Sequence, residues 1–267
     1  MKIPCSVGIL TFNSAASLER CLDSVKNFAE IIVCDGGSAD STLEIARSRG
    51  CVTIEQDVEF KQPDNRIADF SGVRNQMLKT ATQPWFLYVD SDECLSSEAA
   101  EEIGKLVSLD SQGISAFDVP RIYELEGKLV ECSSTYPNYQ IRLFRLRDVD
   151  GFMKPVHERI KLKSGCKKQR ISQPIIVPHE SDVQALKKKY RDYYIPIELK
   201  KLSNLSFRTW LRWILWYHGR AFMGGMVKYL RNLFLCSGNK MPWKIEWLKQ
   251  SYHLSLIYGS VVKIERW

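Results

Sequence analysis

Trp85-Phe86-Leu87-Tyr88-Val89 is an unbroken apolar run that stops at Asp90-Ser91-Asp92-Glu93, three carboxylates within four positions. The run is short, aromatic- and Val-containing, and preceded by Gln83-Pro84, which reads as a strand buried on both faces. A buried strand that delivers carboxylates at its C-terminal end places them in the crevice where open α/β sheets bind ligands. Asp90 and Asp92 stand two apart, so in an extended chain both side chains leave on the same side. With no Lys or Arg beside them in the sequence, two converging carboxylates repel each other. A divalent cation between them and an anionic ligand would relieve that repulsion. The competing interpretation is an Asp-Ser-Asp turn that caps the strand and starts the next helix.

The upstream sequence favours the ligand site. Residues 5–10 form a first apolar strand, followed by Thr11-Phe12-Asn13-Ser14, a loop with helix-capping chemistry. Leu18, Cys21, Leu22, Val25 and Phe28 then fall on one helical face. Ile31-Ile32-Val33-Cys34 is a second buried strand, ending in Asp35-Gly36-Gly37-Ser38, whose glycines permit a tight turn. Ser41-Thr42-Leu43-Glu44 has the form of a capping box. Residues 51–54 give a third strand, and residues 65–79 a third helix carrying Arg74 and Asn75. Strand–helix repeated three times, then a strand, predicts an α/β fold: a Rossmann-like, mostly parallel sheet with helices on both faces. Asp35 and Asp90 then share one rim. The Asp35-Gly36-Gly37 turn is neither a dinucleotide fingerprint nor a phosphate-binding loop with a following Lys. Residues 113–132 read as a β-hairpin turning at Glu126-Gly127.

These residues together resemble glycosyltransferase family 2, with the GT-A fold. The matching pieces are residues 7–13, residues 31–42 with their Asp35-Gly36-Gly37-Ser38 turn, Gly72-Val73-Arg74-Asn75, and residues 86–93. Residues 136–145, followed by Val156-His157-Glu158, are similar to the subgroup that adds sugars to lipopolysaccharide inner cores, which includes beta-1,4-glucosyltransferases. The resemblance covers roughly residues 5–180. It implies a nucleotide-diphosphate sugar donor, inversion at the anomeric carbon and a divalent cation, Mg²⁺ or Mn²⁺. By motif position it implies that Thr11 and Asn13 line the nucleotide pocket and that Asp35 accepts from the base. Arg74 would lie near the nucleotide or diphosphate, Asp90 would face the ribose or the metal, and Asp92 would hold the metal. The family often carries Asp-Asp at the second-strand turn; here Gly36 follows Asp35.

Inverting transfer is one in-line displacement, which needs a general base on the attacking hydroxyl, worth about 10²–10⁴-fold. With Asp90 and Asp92 committed to the metal, Glu158 is expected to be that base, Glu93 being the alternative. His157 is expected as a second metal ligand or as a group that orients a phosphate, and His179 is a further candidate ligand.

The net charge of +7 is uneven. Residues 182–267 hold 16 Lys and Arg against 5 Asp and Glu, a net +11, which leaves −4 for residues 1–181. The expected organisation is a catalytic domain over residues 1–181 and a helical, basic-aromatic appendage over residues 182–267. Residues 207–217 interleave Trp, Tyr and Arg, Gly224-Gly225 interrupts the helical pattern, and Met226, Leu230, Leu233 and Phe234 form an apolar stripe. This composition suits a helix at an anionic membrane surface, or a layer packed on the catalytic domain. There is no secretory h-region, and no apolar run of about 18 residues that would span a bilayer. The eight scattered cysteines contain no CxxC pair and read as reduced thiols of a cytoplasmic protein. If the basic-aromatic end is a membrane-surface helix, the protein is expected to be peripheral on the inner face of the cell membrane. The acceptor is expected to be a glycan or a lipid-linked glycan.

Two other classes compete. A sugar-1-phosphate nucleotidyltransferase would carry a Gly-rich, basic first loop, which residues 11–16 lack. A non-catalytic nucleic-acid binder could use the basic end, but the acidic front half shows no RNA-module pattern, so no nucleic-acid partner is expected.

Overall fold

The computed structural model describes residues 2–63, 66–108, 113–155, 158–201 and 206–264. The chain divides into two compact units, one of residues 1–121 and 137–177, the other of residues 122–136 and 178–267. The expected boundary at 181/182 falls close to the second break, but the segment 122–136 groups with the C-terminal helices.

The first unit opens with the alternation read from the sequence. Strands β1 (Ile3–Thr11), β2 (Phe28–Asp35), β3 (Val52–Glu55) and β4 (Trp85–Asp90) are separated by helices α1 (Ala15–Val25), α2 (Thr42–Ser48) and α3 (Phe70–Thr80). Beyond them come β5 (Cys94–Leu95), α4 (Ser97–Ser108), β6 (Ile114–Leu125), β7 (Lys128–Val130), β8 (Asn138–Arg145), β9 (Val149–Met153), β10 (Arg159–Leu162), β11 (Lys167–Arg170) and β12 (Ile175–Pro178). The main sheet runs β3-β2-β1-β4-β8-β6-β12-β5, with β7 and β11 also paired to β6. Its first four strands are parallel, as expected. The β4–β8, β8–β6 and β12–β5 pairs are antiparallel.

Strand β1 lies between β2 and β4, in a register that pairs Thr11 with Asp35 and Leu10 with Asp90. One sheet edge therefore carries the ends of all three strands. Residues Trp85 to Val89 are all buried, as their continuous apolar run requires. Phe86 packs on Phe144 with ring centroids 5.6 Å apart. Gly8 makes room for it: a Cβ there would stand 2.4 Å from Phe86 Cζ. Helix α1 buries Leu18, Cys21, Leu22 and Val25, but Phe28 begins β2. Helix α3 starts at Phe70 rather than at residue 65, because Asp69 caps it by accepting from the Gly72 amide. Asn65 lies outside the described residues. The hairpin forms as read, with Glu126 and Gly127 both at positive φ, the geometry of a type I′ turn.

Two expected caps are absent. Ser14 and Ser41 occupy N-cap positions without side-chain capping bonds, and the Ala15 amide donates to Asp40 instead.

The second unit holds α5 (Val183–Lys189), α6 (Ile195–Lys201), α7 (Phe207–Arg212), α8 (Arg220–Leu235) and α9 (Trp243–Ile264), with π-helical turns at Tyr190–Tyr194 and Trp213–Gly219. A small core of Val130, Leu186, Met241 and Ile245 joins its two stretches of sequence. The buried Glu246 carboxylate accepts from the Ser134 amide at 2.8 Å and from its hydroxyl, which accepts from Gln250.

Two expectations fail here. Cys132 and Cys236 form a disulfide, so the cysteines are not all reduced thiols; the other six form no disulfide. A pair separated by 104 residues leaves no spacing signature in the sequence. Gly224 and Gly225 do not end the helix but lie inside α8. A Cβ on Gly225 would fall 2.0 Å from Gln250 Oε1, so this glycine serves close approach of side chain to backbone rather than a break. Among the described residues no helix is long and apolar enough to cross a membrane.

Candidate active site

The chain leaves β4 through a turn rather than continuing extended. The Glu93 amide donates to the Asp90 carbonyl at 2.9 Å, closing a β-turn over Asp90-Ser91-Asp92-Glu93. Asp90 and Asp92 therefore do not share a strand face as the extended geometry predicted. The Asp90 amide in turn donates to Glu93 Oε2, which ties the turn from inside.

Asp90 is not an unpartnered carboxylate. Arg74, projecting from α3, donates from Nη2 to its Oδ1 at 3.0 Å. Arg142, from β8, approaches Oδ2 at 3.4 Å. Desolvation works against the Asp90 charge, but the Arg142 and Arg74 guanidiniums outweigh it and hold the carboxyl well below the usual range. Both guanidiniums also lie over the Tyr88 ring, each 4.5 Å from its centroid. The same Arg74 donates from Nε to Glu158 Oε1 at 2.8 Å, while its buried Nη1 has no hydrogen-bond partner. These groups line one cavity of about 670 Å³, whose wall includes Arg74, Tyr88, Asp90, Arg121, Arg142 and Glu158.

Behind the cavity wall lies Glu93, 1% exposed. Its carboxylate takes both guanidinium nitrogens of Arg142 at 3.0 and 3.1 Å, and Arg121 Nη2 at 2.6 Å. Enclosed by two arginines, Glu93 cannot reach a hydroxyl on a substrate, which removes it as the alternative base. Arg121 and Arg142 had no assigned role in the sequence. The available signal was a charge inside an apolar strand, Arg142 between Ile141 and Leu143.

Asp92 is the exposed carboxylate of the turn. Partial desolvation and the negative charge of Asp90 push its carboxyl above the usual range. A cation beside Asp92 would relieve that repulsion. Asp90, expected as a metal ligand, instead has its oxygens occupied by arginines. His157 lies outside the described residues. No group of three His, Cys, Asp or Glu side chains able to hold a metal occurs among the described residues. Among the described residues, Asp92 is the carboxylate that would hold a cation, and Mg²⁺ is commonly bound through one or two carboxylates together with substrate phosphates and water.

On the other side of β1, Asp35 is 1% exposed. Its Oδ1 accepts from the Thr11 and Ser38 hydroxyls at 2.7 and 2.6 Å, and its Oδ2 from the Gly37 and Ser38 amides at 2.9 and 2.7 Å. Burial opposes its charge, yet the Ser38, Thr11 and Gly37 donors keep its carboxyl below the usual range. Four donors fill the roughly four acceptor sites of a carboxylate. Asp35 and Thr11 thus shape the loop here, a role the sequence did not assign. Asn13, at φ 50°, accepts at Oδ1 from the Ala39 amide, and its own amide donates to the Ser38 hydroxyl, both at 2.8 Å. The loops after β1 and β2 are latched together at the rim. His179 belongs to the second unit, edge-on to Tyr123 with Nδ1 2.8 Å from the Glu180 carbonyl.

The chain is similar to known proteins. The glycosyltransferase SunS of the SPbeta prophage in Bacillus subtilis is 32% identical over 153 residues, 57% of this chain and 33% of that protein. The lipopolysaccharide core biosynthesis glycosyltransferase LpsC of Rhizobium meliloti is 29% identical over 107 residues, 40% of this chain and 38% of that protein. The chain spans about a third of the length of the curated relatives it matches. Among solved structures, S. aureus TarS aligns over 89% of this chain and 44% of its own, at 14% identity and a TM-score of 0.42. Glucosyl-3-phosphoglycerate synthase of Mycobacterium tuberculosis, solved with Mn²⁺ and UDP, aligns over 45% of this chain and 44% of its own, at 21% identity and a TM-score of 0.34. The model of glycosyl transferase family 2 matches residues 6–168, a span that contains most of β1, all of β2 to β4, the Asp90 turn and Glu158. The chain belongs to glycosyl transferase family 2.

Proposed function

We propose that this chain transfers a sugar, with inversion, from a nucleotide-diphosphate sugar to a hydroxyl of a glycan or lipid-linked glycan of the cell envelope. The observation that carries the proposal is the grouping of Asp90, Arg74, Arg142 and Glu158 around one cavity next to the exposed Asp92. The similarity to LpsC supports an envelope acceptor of the lipopolysaccharide-core kind.

Thr11, Asn13 and Asp35 hold the rim loops in the shape that receives the nucleotide. Arg74 lines the cavity, and its guanidinium charge suits the anionic diphosphate of the donor. Asp90 holds Arg74 and Arg142 in place. Asp92 would hold a divalent cation, which would supply Lewis-acid charge for the leaving diphosphate. Glu158 takes the proton of the attacking hydroxyl. Its side chain is 17% exposed, open enough to meet an acceptor and fixed in orientation by Arg74.

A thermal-shift panel of sugar nucleotides with and without Mn²⁺ tests the proposal. A cognate donor at 100 times its Kd stabilises the fold by about 2.7 kcal/mol. If no sugar nucleotide raises the unfolding temperature, the proposal fails. With the donor found, Glu158→Gln is expected to keep donor binding and to lose about 10²–10⁴-fold in turnover. Near-normal turnover would move the base elsewhere.

A further inference from the structure

Helix α8 has two unlike sides. One side is packed: Gly225 lies against Gln250, and Asn232, 9% exposed, donates to the Ser133 carbonyl at 3.1 Å. The other side is not. Met223, Val227, Leu230 and Phe234 are 60, 61, 48 and 79% exposed, and their spacing of i, i+4, i+7 and i+11 returns them to one face. Leu233 is exposed at one margin of that face. Arg220, Lys228 and Arg231 fall along the opposite margin, all exposed.

Helix α9 repeats the pattern. Trp243, Trp247, Leu254, Tyr258 and Val261 are exposed, and they too recur at helical spacing. Helix α9 approaches α8 where the Trp243 ring, 5.6 Å from Trp247, comes within 6.4 Å of Tyr229. The exposed Trp216 carries the Arg220 guanidinium 5.5 Å above its ring.

An apolar surface this broad marks a place of contact. No described helix can cross a bilayer, so an occupant would be met along the helix flanks. Charge selects between a second copy and a lipid surface. Residues 182–267 carry a net +11, so two copies joined by these faces would set like charge against like. An anionic bilayer is complementary to the basic margin, and Trp and Tyr rings suit the headgroup level.

We propose that the exposed faces of α8 and α9 lie flat on an anionic lipid bilayer surface. Their apolar side chains enter the boundary of the acyl region, and Arg220, Lys228 and Arg231 meet the headgroup phosphates. This docking surface is separate from the transfer chemistry and stands or falls without it.

The test is flotation of the 267-residue chain with vesicles of phosphatidylcholine containing about 30% phosphatidylglycerol, against phosphatidylcholine alone, at low salt and at 0.5 M NaCl. The chain should float with the anionic vesicles at low salt, and at least about tenfold less without the anionic lipid or at high salt, since exposed charges are screened. The double variant Leu230→Glu, Phe234→Glu should lose flotation about tenfold while keeping the parent's circular dichroism. The double variant Arg220→Gln, Arg231→Gln should weaken binding and reduce its salt dependence. The proposal is overturned if the parent fails to float with anionic vesicles, or if the Leu230/Phe234 variant floats as well as the parent. It is also overturned if light scattering shows a dimer that the Leu230/Phe234 variant dissolves.

Discussion

Arg142 and Arg220 both stack a guanidinium over an aromatic ring, and there the likeness ends. Arg142 is 2% exposed, sits on Tyr88 and is held by Asp90 and Glu93. Arg220 is exposed and sits on Trp216, itself open to solvent. The same contrast separates the two units. In the first, charges are drawn inward and paired around a cavity, and among its described residues only Phe12, Val52, Val58 and Met153 are large apolar side chains left exposed. In the second, eighteen such side chains are exposed among the described residues, with basic residues among them. A buried, paired charge fixes geometry, as a site for chemistry needs, whereas an exposed one selects a partner by sign.

The largest expected effect tests the paired charges. Arg142→Met removes the group shared by Asp90 and Glu93 and should destabilise the first unit by about 3 kcal/mol, the low end for breaking a buried pair because Arg121 still holds Glu93. Transfer should fall by at least about 10²-fold. Urea unfolding followed by hydrogen exchange locates the loss; a variant as stable as the parent would dissolve the contrast between the units.

Next in size is the disulfide. Cys132→Ser with Cys236→Ser should lower the stability of the second unit by about 2–4 kcal/mol. Amide exchange should rise over residues 122–136 and 236–246 and remain as in the parent at residues 85–90. Equal loosening of both regions would show that the units do not respond separately.

The smallest effect is in pH. His218 is buried, and that desolvation, with His253 beside it, depresses its pKa to about 4 from 6.5. The unfolded chain binds the proton more readily between those values, so this contribution to stability is full above about pH 6.5 and is lost as pH falls toward 4. Asp90 is also depressed, but from 3.8, so its contribution is full above about pH 4 and is lost only below that. Acid should therefore loosen the second unit before the first, by a few degrees in unfolding temperature near pH 5. His218→Gln should flatten that slope, and an unchanged slope would assign it to other groups.

What the sequence disclosed follows from how local each signal is. The parallel strands were legible because residues 5–10 are mostly apolar and residues 31–34 and 85–89 are apolar without interruption, the mark of strands covered on both faces. The hairpin was legible because Glu126-Gly127 can adopt positive φ. The turn at Asp90 was weighed and set aside, since only the Glu93 amide bond shows that the chain bends there. Arg142 and Arg121 come from β8 and β6, and nothing in their own neighbourhood shows that Glu93 waits between them. Asp35 was recognised as a rim residue, but its saturation by Thr11, Gly37 and Ser38 depends on loop geometry. Gly224-Gly225 was misread because a glycine pair breaks an isolated helix, whereas here the neighbouring Gln250 occupies the space a side chain would need.

The partnership of residues 122–136 with the end of the chain has a consequence in time. Ser134 meets Glu246, 112 positions later, and Cys132 meets Cys236. At ribosomal speeds of about 5–20 residues per second, that stretch emerges roughly 5–20 s before its partners exist. The first unit can close while its neighbour still holds an unpaired thiol and an unmatched strand edge. Slow codons or a holding chaperone over residues 137–240 would therefore affect the yield of the folded chain more than they affect its final stability.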